Sequence, residues 1–271
     1  VGSEMCIRDR YSNAQLLDLF SIFSANPDKL TMVVIALATS IASTGLPLIT
    51  EAVTLKDRVG LAKLTSGNLQ LFSFFMFPAT FGVMLLAYPL NTLFYTPDSL
   101  GSNVLIQASF VGLFLGLYML VSNMLQGMFE NKAAINYLVI GFLVKLLLQY
   151  PAIRLFEVYG PLLATMIGFA VSCTLILKRI HEVARFKPSF VWRRTLLIFI
   201  LTLIMLLASW ITKMIFGAFL NEDSKFQSLL LILVVAGIGA LVYGYLALKI
   251  RLAERLLGPG IARLRHKLKI K

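Results

Sequence analysis

Three long stretches without a charged residue dominate the sequence. They are Leu64–Pro97, Ser99–Phe129 and Phe226–Leu248, with lengths of 34, 31 and 23 residues. About 20 apolar residues in a helix span the hydrocarbon core of a bilayer. Backbone amides without partners are too costly in lipid for any spanning structure except a helix or a closed barrel. The three stretches lack the period-two alternation of barrel strands, so they predict membrane-spanning helices.

The composition of the chain supports this prediction. Hydrophobic residues make up 58% of the 271 residues and charged residues make up 14%, whereas about a quarter of the residues in a soluble domain are charged. The formal net charge of +12 would suggest a nucleic-acid partner in a soluble protein. Here the cations are concentrated between apolar segments, so we expect no nucleic-acid partner.

Turn-forming and charged residues divide the chain into seven predicted membrane spans. The spans are Leu30–Val53, Asn68–Phe94, Val104–Phe129, Ala133–Leu155, Tyr159–Leu177, Thr195–Leu220 and Phe226–Leu248. The connections between them are short, which favours antiparallel packing of neighbouring helices and leaves no room for a soluble domain. The predicted fold class is therefore an all-α membrane protein with seven transmembrane helices.

The distribution of Lys and Arg between the loops predicts how these helices are oriented. One set of loops, together with the C-terminal tail, carries eighteen of these residues, and the opposite set carries three: Lys29, Arg154 and Lys225. Because positive loops stay in the cytoplasm, we expect a cytoplasmic C-terminus and an external N-terminal end. An odd number of spans with an external start indicates a fragment of a longer protein. We expect the basic tail to set the topology and to attract anionic lipid.

No arrangement of residues in the sequence is typical of an enzyme active site. The sequence has no Ser/His/Asp set, no metal-binding cluster and no glycine-rich phosphate loop, and Cys6 and Cys173 lack metal-ligand spacing. We therefore expect a protein that is not an enzyme and that holds no cofactor and no metal.

Polar residues inside the first predicted span form the main candidate site, because such residues are expensive in a membrane. Ser40, Ser43, Thr44 and Glu51 share one helical face with Pro47, since they recur at spacings of three and four. This face predicts the lining of a substrate cavity. An equally good interpretation is that the small hydroxyl residues only allow close packing between helices. Pro47 removes a backbone hydrogen bond, so we also expect a kink there.

Three further polar residues are candidates for the same cavity. Lys145 lies near the middle of the fourth predicted span, and Asn123 and Gln126 lie near the end of the third. An ammonium group at the bilayer centre costs at least about 2.5–3.5 kcal/mol, so Lys145 should face the helix bundle. An ion pair and a substrate contact explain Lys145 equally well, and hydrogen bonds between helices would also explain the two amides. Pro78 predicts a second kink, in the second span.

Four segments resemble, in order and spacing, the helices of a known superfamily. They are LPLITEA (Leu46–Ala52), Phe77–Tyr95, Met124–Ile153 and Val158–Ser172. They are similar to the multidrug/oligosaccharidyl-lipid/polysaccharide exporter superfamily, and most to its polysaccharide biosynthesis branch of sporulation protein B-like proteins and lipid II flippases. The resemblance covers residues 30–180, and it departs from the family at Pro161 and Leu162, where small residues are usual.

The resemblance implies a fold. Members of this family have two six-helix lobes followed by two extra helices, so the seven spans here would be helices eight to fourteen of a fourteen-helix transporter. Residues 30–180 would form five helices of the C-terminal lobe, 181–194 a basic cytoplasmic loop, 195–248 the two additional helices and 249–271 a basic cytoplasmic tail. Residues 11–29 would be an extracellular segment. Residues 1–10 resemble translated sequencing adapter, so we expect them to be an artefact.

The resemblance also implies a function, namely a flippase in a bacterial plasma membrane that exports undecaprenyl-linked saccharides for cell-envelope biosynthesis. Its cargo would be lipid II or a polysaccharide repeat unit. Its partners would be membrane lipid and the missing N-terminal lobe of the same polypeptide.

Two alternative functions remain open. A cation-coupled multidrug antiporter of the same superfamily would need a buried carboxylate in mid-membrane, and Glu51 is the only nearby candidate. A membrane scaffold that transports nothing would leave the interior of the helix bundle closed to solvent.

Overall fold

The structure is a computed structural model, and it describes residues 26–95, 97, 99–156, 159–220 and 222–257. These residues form nine α-helices and no strand. The helices are α1 (Asn26–Thr54), α2 (Arg58–Leu85), α3 (Ala87–Phe94), α4 (Ser99–Gly127), α5 (Asn131–Phe156), α6 (Gly160–Ala184), α7 (Pro188–Gly217), α8 (Lys225–Lys249) and α9 (Leu252–Leu257). Seven of them, all except the short α3 and α9, are long and apolar enough to cross a membrane. The predicted fold class is confirmed.

Several helices extend beyond the predicted spans. α2 starts at Arg58, ten residues before the predicted start at Asn68, and the Asp57 side chain caps it by accepting a hydrogen bond from the Gly60 amide at 2.9 Å. α7 starts at Pro188, seven residues before the predicted start. Hydropathy marks only the apolar part of a helix, about the thickness of the hydrocarbon core, whereas these two helices begin in more polar sequence. The predicted starts were therefore too late.

The second predicted span, Asn68–Phe94, is two helices and not one. α2 ends at Leu85, Leu86 has a ψ of 15° that lies outside the helical range, and α3 follows directly. Pro89 has no N–H to donate to the carbonyl four residues earlier, which belongs to Leu85. The missing hydrogen bond thus falls at the interruption. Pro78 leaves the same kind of gap inside α2 without ending that helix, so the proline alone does not explain the break.

The helices pack around one main core and two smaller cores. The main core lies where α1, α2, α4 and α6 meet, and it includes the fully buried Ile49, Met76 and Leu120. α5 packs mainly on α6, and much of its remaining surface is exposed and apolar. α7 and α8 pack on each other and on α2 around a smaller core that includes Ile198 and Leu201, and α3 packs on α8 around the other.

α5 and α6 approach each other through small residues. A Cβ atom added to Gly168 would lie 2.8 Å from the Gly141 carbonyl oxygen, and one added to Gly141 would collide with the Ser172 hydroxyl. Ser172 donates a hydrogen bond to the Tyr137 carbonyl of α5 at 3.0 Å. Small residues of this kind let helix backbones approach closely in a membrane, where the surrounding lipid is as apolar as the helices. Close packing and this hydrogen bond thus position α5 on α6.

The loops predicted to share one side of the membrane gather at one end of the helix bundle. Arg179 of α6 forms an ion pair at 2.7 Å with Glu130, in the loop between α4 and α5. The first turns of α2, the α6–α7 loop and α9 line a common cleft at that same end. At the other end, Tyr88 of α3 donates a hydrogen bond at 2.7 Å to Asp223, in the loop between α7 and α8. The loops alternate between the two ends, as seven crossings require.

Part of the predicted organisation falls on residues that the structure does not describe. The expected artefact at residues 1–10 lies outside the described residues, as do most of the predicted extracellular segment at 11–29 and most of the predicted tail at 249–271. The start of that tail is described, and it contains the short helix α9.

Candidate functional site

The polar face that the sequence predicts on α1 is bare in the structure. We call it the polar stripe, and it consists of Ser40, Ser43, Thr44, Pro47 and Glu51. Every one of these residues is exposed. The opposite face of α1 packs against α2 and α4, with Ala38, Ala42 and Ile49 buried. The helix therefore has one packed face, which holds it in the bundle, and one bare face that is partly polar.

The bare face of α1 changes character along the helix. Its first half is apolar and exposes Met32, Val33 and Leu37, whereas its second half carries the polar stripe, interrupted by Leu48. The second half leads to the α1–α2 loop, at the end of the bundle where the basic loops gather. A helix that faced lipid along its whole length would be apolar throughout, so the polar half indicates contact with water or with another polar surface.

The polar stripe presents hydrogen-bond acceptors rather than donors. The hydroxyls of Ser40, Ser43 and Thr44 each donate to a carbonyl three or four residues earlier in α1, at 2.8–3.1 Å. Each hydroxyl has a single proton, so its oxygen is left as an acceptor. Pro47 has no N–H for the Ser43 carbonyl, which adds an acceptor, and Glu51 adds a carboxylate. The stripe is therefore suited to a ligand rich in hydroxyl or amide donors, and not to a phosphate.

A pure packing role for the stripe is not realised among the described helices. Ser40, Ser43 and Thr44 lie on the exposed side of α1, whereas the close helix contacts of α1 lie on its other side, where a Cβ atom added to Gly116 of α4 would be 2.9 Å from Ala38. A packing partner for the stripe would have to come from a segment outside the described residues. The prediction that the stripe lines a cavity stays a prediction.

Two of the remaining candidates lie on α4, near the point where α4 approaches α1. Asn123 is partly buried and Gln126 is exposed, and the Gln126 amide donates to the Ser122 hydroxyl at 3.3 Å. The next residue, Gly127, marks a close approach between α4 and α1, because a Cβ atom added to it would lie 3.1 Å from Leu46. The structure thus brings both amides to the end of the α1–α4 pair where the stripe is polar.

Lys145, by contrast, is not brought together with the polar stripe. It is partly buried on α5, next to Gly168 of α6. A Cβ atom added to Gly168 would lie 3.0 Å from the Cβ atom of Lys145. α5 packs mainly on α6, and α6 packs on α4, so α4 and α6 separate Lys145 from α1. Within the described ranges no carboxylate lies within 4 Å of the Lys145 ammonium group. The ion-pair interpretation is therefore not realised in that part of the chain.

Two prolines of the second predicted span leave carbonyls whose partners could not be found from the sequence. α2 runs through Pro78, which cannot donate to the Phe74 carbonyl, and the Tyr243 hydroxyl of α8 donates to that carbonyl at 2.8 Å. Pro89 likewise frees the Leu85 carbonyl, and the Lys213 ammonium group of α7 lies 3.5 Å from it. In the sequence, each proline identifies the carbonyl four residues before it as lacking its usual helical donor. It does not identify the donors, which are 169 and 128 positions away in the chain.

Seven apolar helices, with one helix face that is bare and polar, define this chain as a multi-pass helical membrane protein. The chain is 31% identical over 254 residues to lipid II flippase MurJ of Bacillus subtilis (strain 168), a match that covers 91% of this chain and 47% of the relative. A solved structure of lipid II flippase MurJ in its inward closed conformation has a TM-score of 0.60 and 19% identity, over 84% of this chain and 51% of that one. No protein-family model matches.

The chain is homologous to lipid II flippase MurJ along nine tenths of its length, which confirms the superfamily predicted from the four sequence segments. The solved structure, at 19% identity, supports the fold alone. The chain spans about half the length of both relatives. Together with the seven apolar helices, the homology also confirms a multi-pass protein of a bacterial plasma membrane.

Proposed function

We propose that this chain is the C-terminal half of a transporter that flips undecaprenyl-linked saccharides outward across the plasma membrane for cell-envelope biosynthesis. The cargo is lipid II or a polysaccharide repeat unit, and the protein is a transporter rather than an enzyme. The observation that carries the proposal is the bare polar stripe on α1, on a chain homologous to a lipid II flippase along nine tenths of its length. The seven spans then correspond to helices eight to fourteen of a fourteen-helix protein.

The polar stripe gives this transporter one wall of its substrate cavity. Its acceptor oxygens suit the hydroxyl and amide groups of a saccharide, and the missing N-terminal lobe supplies the facing wall. Asn123 and Gln126 extend the wall at the end of α4. Transport proceeds by rocking of the two lobes around a substrate bound between them, which exposes the cavity to one side of the membrane at a time.

The basic end of the bundle faces the cytoplasm in this proposal. Eighteen cations are predicted for this side and three for the other. Loops rich in Lys and Arg stay in the cytoplasm, so this difference predicts the orientation. The C-terminus is then cytoplasmic. The polar stripe lies in the inner half of the membrane, where a lipid-linked saccharide made in the cytoplasm would enter, and the apolar half of the α1 face lies in the outer half.

We propose a separate role in transport for Lys145, which lies apart from the polar stripe. Its ammonium group lies on α5, and an electrostatic contribution to transport requires either the substrate or a group from outside the described residues to reach it. We propose that the anionic diphosphate of the cargo is the group that it serves.

Thiol accessibility in the full-length protein tests the cavity. In a background in which every native cysteine of the full-length protein, including Cys173, is replaced by alanine, Ser40→Cys, Thr44→Cys and Glu51→Cys should react with a water-soluble thiol reagent. Two controls should not react: Ala42→Cys, which is 2% exposed inside the bundle, and Leu147→Cys, which is 77% exposed on the apolar surface of α5. Equal protection at all five positions would contradict the proposal and favour a membrane scaffold.

A further inference from the structure

A cleft of about 1400 Å³ opens at the basic end of the bundle, apart from the polar stripe. The first turns of α2, the end of α6, the start of α7 and the helix α9 form its walls. No residue of the polar stripe lines it. The cleft is therefore a concave surface separate from the proposed transport surface.

Positive charge dominates the cleft. Its lining cations are Arg58, Lys63, Arg185, Lys187 and Arg194. Among the described residues, the only lining carboxylate is Glu182, and it is paired at 2.9 Å with Arg179, which does not line the cleft. In the part of the chain that the structure describes, none of the first four cations has a carboxylate within 4 Å. Topology accounts for the number of these cations but not for their convergence on one cavity.

One of the five cations is held in a fixed orientation. The Arg194 guanidinium donates a hydrogen bond at 2.9 Å to the side-chain oxygen of Gln70, which is 1% exposed. Its central carbon also lies 4.0 Å from the centre of the Phe190 ring. A cation that only sets topology needs neither a buried amide partner nor a stacking surface. A planar, pre-oriented guanidinium is the group that proteins use to bind phosphate through two parallel hydrogen bonds.

The cleft also has an apolar rim beside its cations. Val59 and Phe190 line it and are exposed, and Leu256 of α9 also lines it. A free phosphate ion would need the cations alone, whereas an amphiphile needs cations and apolar surface side by side. We propose that this cleft binds the phosphate headgroup of an anionic phospholipid from the leaflet that borders this end of the bundle.

Binding of phosphatidylglycerol to the full-length protein in detergent, followed by native mass spectrometry, tests this site. The cleft variant combines Arg58→Gln, Lys63→Gln and Lys187→Gln. Its matched control combines Lys56→Gln, Lys132→Gln and Lys178→Gln, which remove the same charge from exposed positions at the same end, outside the cleft. We expect the cleft variant to bind the lipid roughly a hundredfold more weakly, and the control to bind nearly as the unmodified protein does.

Three further measurements separate a lipid site from simpler explanations. Arg194→Lys keeps the charge but loses the planar fork, so it should also weaken binding, and phosphatidylcholine should not compete. Equal losses in the cleft variant and in its control would overturn the proposal in favour of diffuse charge. Displacement of the lipid by millimolar inorganic phosphate would overturn it in favour of a site for free phosphate.

Discussion

Replacement of Tyr243 by phenylalanine should destabilise the protein, because it removes the donor that serves the Phe74 carbonyl between α8 and α2. The hydroxyl lies 2.8 Å from that carbonyl, and Tyr243 is buried. Pro78 offers no N–H in its place. A buried carbonyl without a partner costs about 1–3 kcal/mol, whereas hydrogen bonds between membrane helices average about 0.6 kcal/mol and reach about 1.7 kcal/mol. We therefore expect a loss of about 1–2 kcal/mol in the free energy of unfolding.

The same reasoning predicts that Pro78→Ala rescues most of this loss. Alanine restores the backbone N–H that can serve the Phe74 carbonyl within α2, so Tyr243→Phe should cost little in the Pro78→Ala background. A double-mutant cycle measures this coupling, which we expect to be about 1 kcal/mol. The assay is unfolding of the purified full-length protein in mixed micelles, with the free energy taken at a common detergent composition.

Tyr245→Phe is the matched control for this cycle. Tyr245 lies two residues further along α8 and is 51% exposed, so the same chemical change there should alter stability by less than about 0.5 kcal/mol. Equal costs of Tyr243→Phe with proline and with alanine at position 78 would refute the reasoning. The loss would then reflect packing against the Tyr243 ring, which contacts the Phe74 ring at a centroid distance of 5.3 Å.

Two further predictions concern charge. Lys145→Arg should retain part of the flipping activity and Lys145→Met should lose it, because the expected cargo carries an anionic diphosphate. Both variants should be present in the membrane in unchanged amounts. Normal flipping by a well-expressed Lys145→Met protein would refute a role for the ammonium group. A cysteine introduced at Lys187, in the α6–α7 loop, should be protected from a membrane-impermeant thiol reagent in intact cells, because we place this loop in the cytoplasm. Labelling of that cysteine before the cells are broken would reverse the orientation.

The number of spans was predictable because it depends only on the length and polarity of apolar segments. The positions at which helices start were less predictable, since Arg58 and Pro188 begin helices in polar sequence that hydropathy does not register. The interruption at Leu86 was missed for a related reason. Pro89 was visible in the sequence, but a proline near the end of a span is compatible with both a continued and a broken helix.

The candidate site was predictable only where one helix defines it. The polar stripe follows from spacing within α1, and the structure leaves that face bare as a cavity lining would require. Lys145 was grouped with the stripe on polarity alone, and the structure separates them because packing between distant segments decides which helices are neighbours. The cleft around Arg194 was missed for the same reason, since its walls come from four separate helices.

The export of lipid II by the full-length protein tests the central claim most directly. The measurement is the amount of lipid II on the outer face of the membrane in cells depleted of their own lipid II flippase. Our account predicts that the protein restores this export. It also predicts that Ser40→Trp, which fills the polar stripe, abolishes export at an unchanged membrane level, whereas Leu147→Trp on the apolar surface of α5 does not. Absence of export by the unmodified protein would contradict lipid II as the cargo, and normal export by the Ser40→Trp variant would contradict a role of the polar stripe in transport.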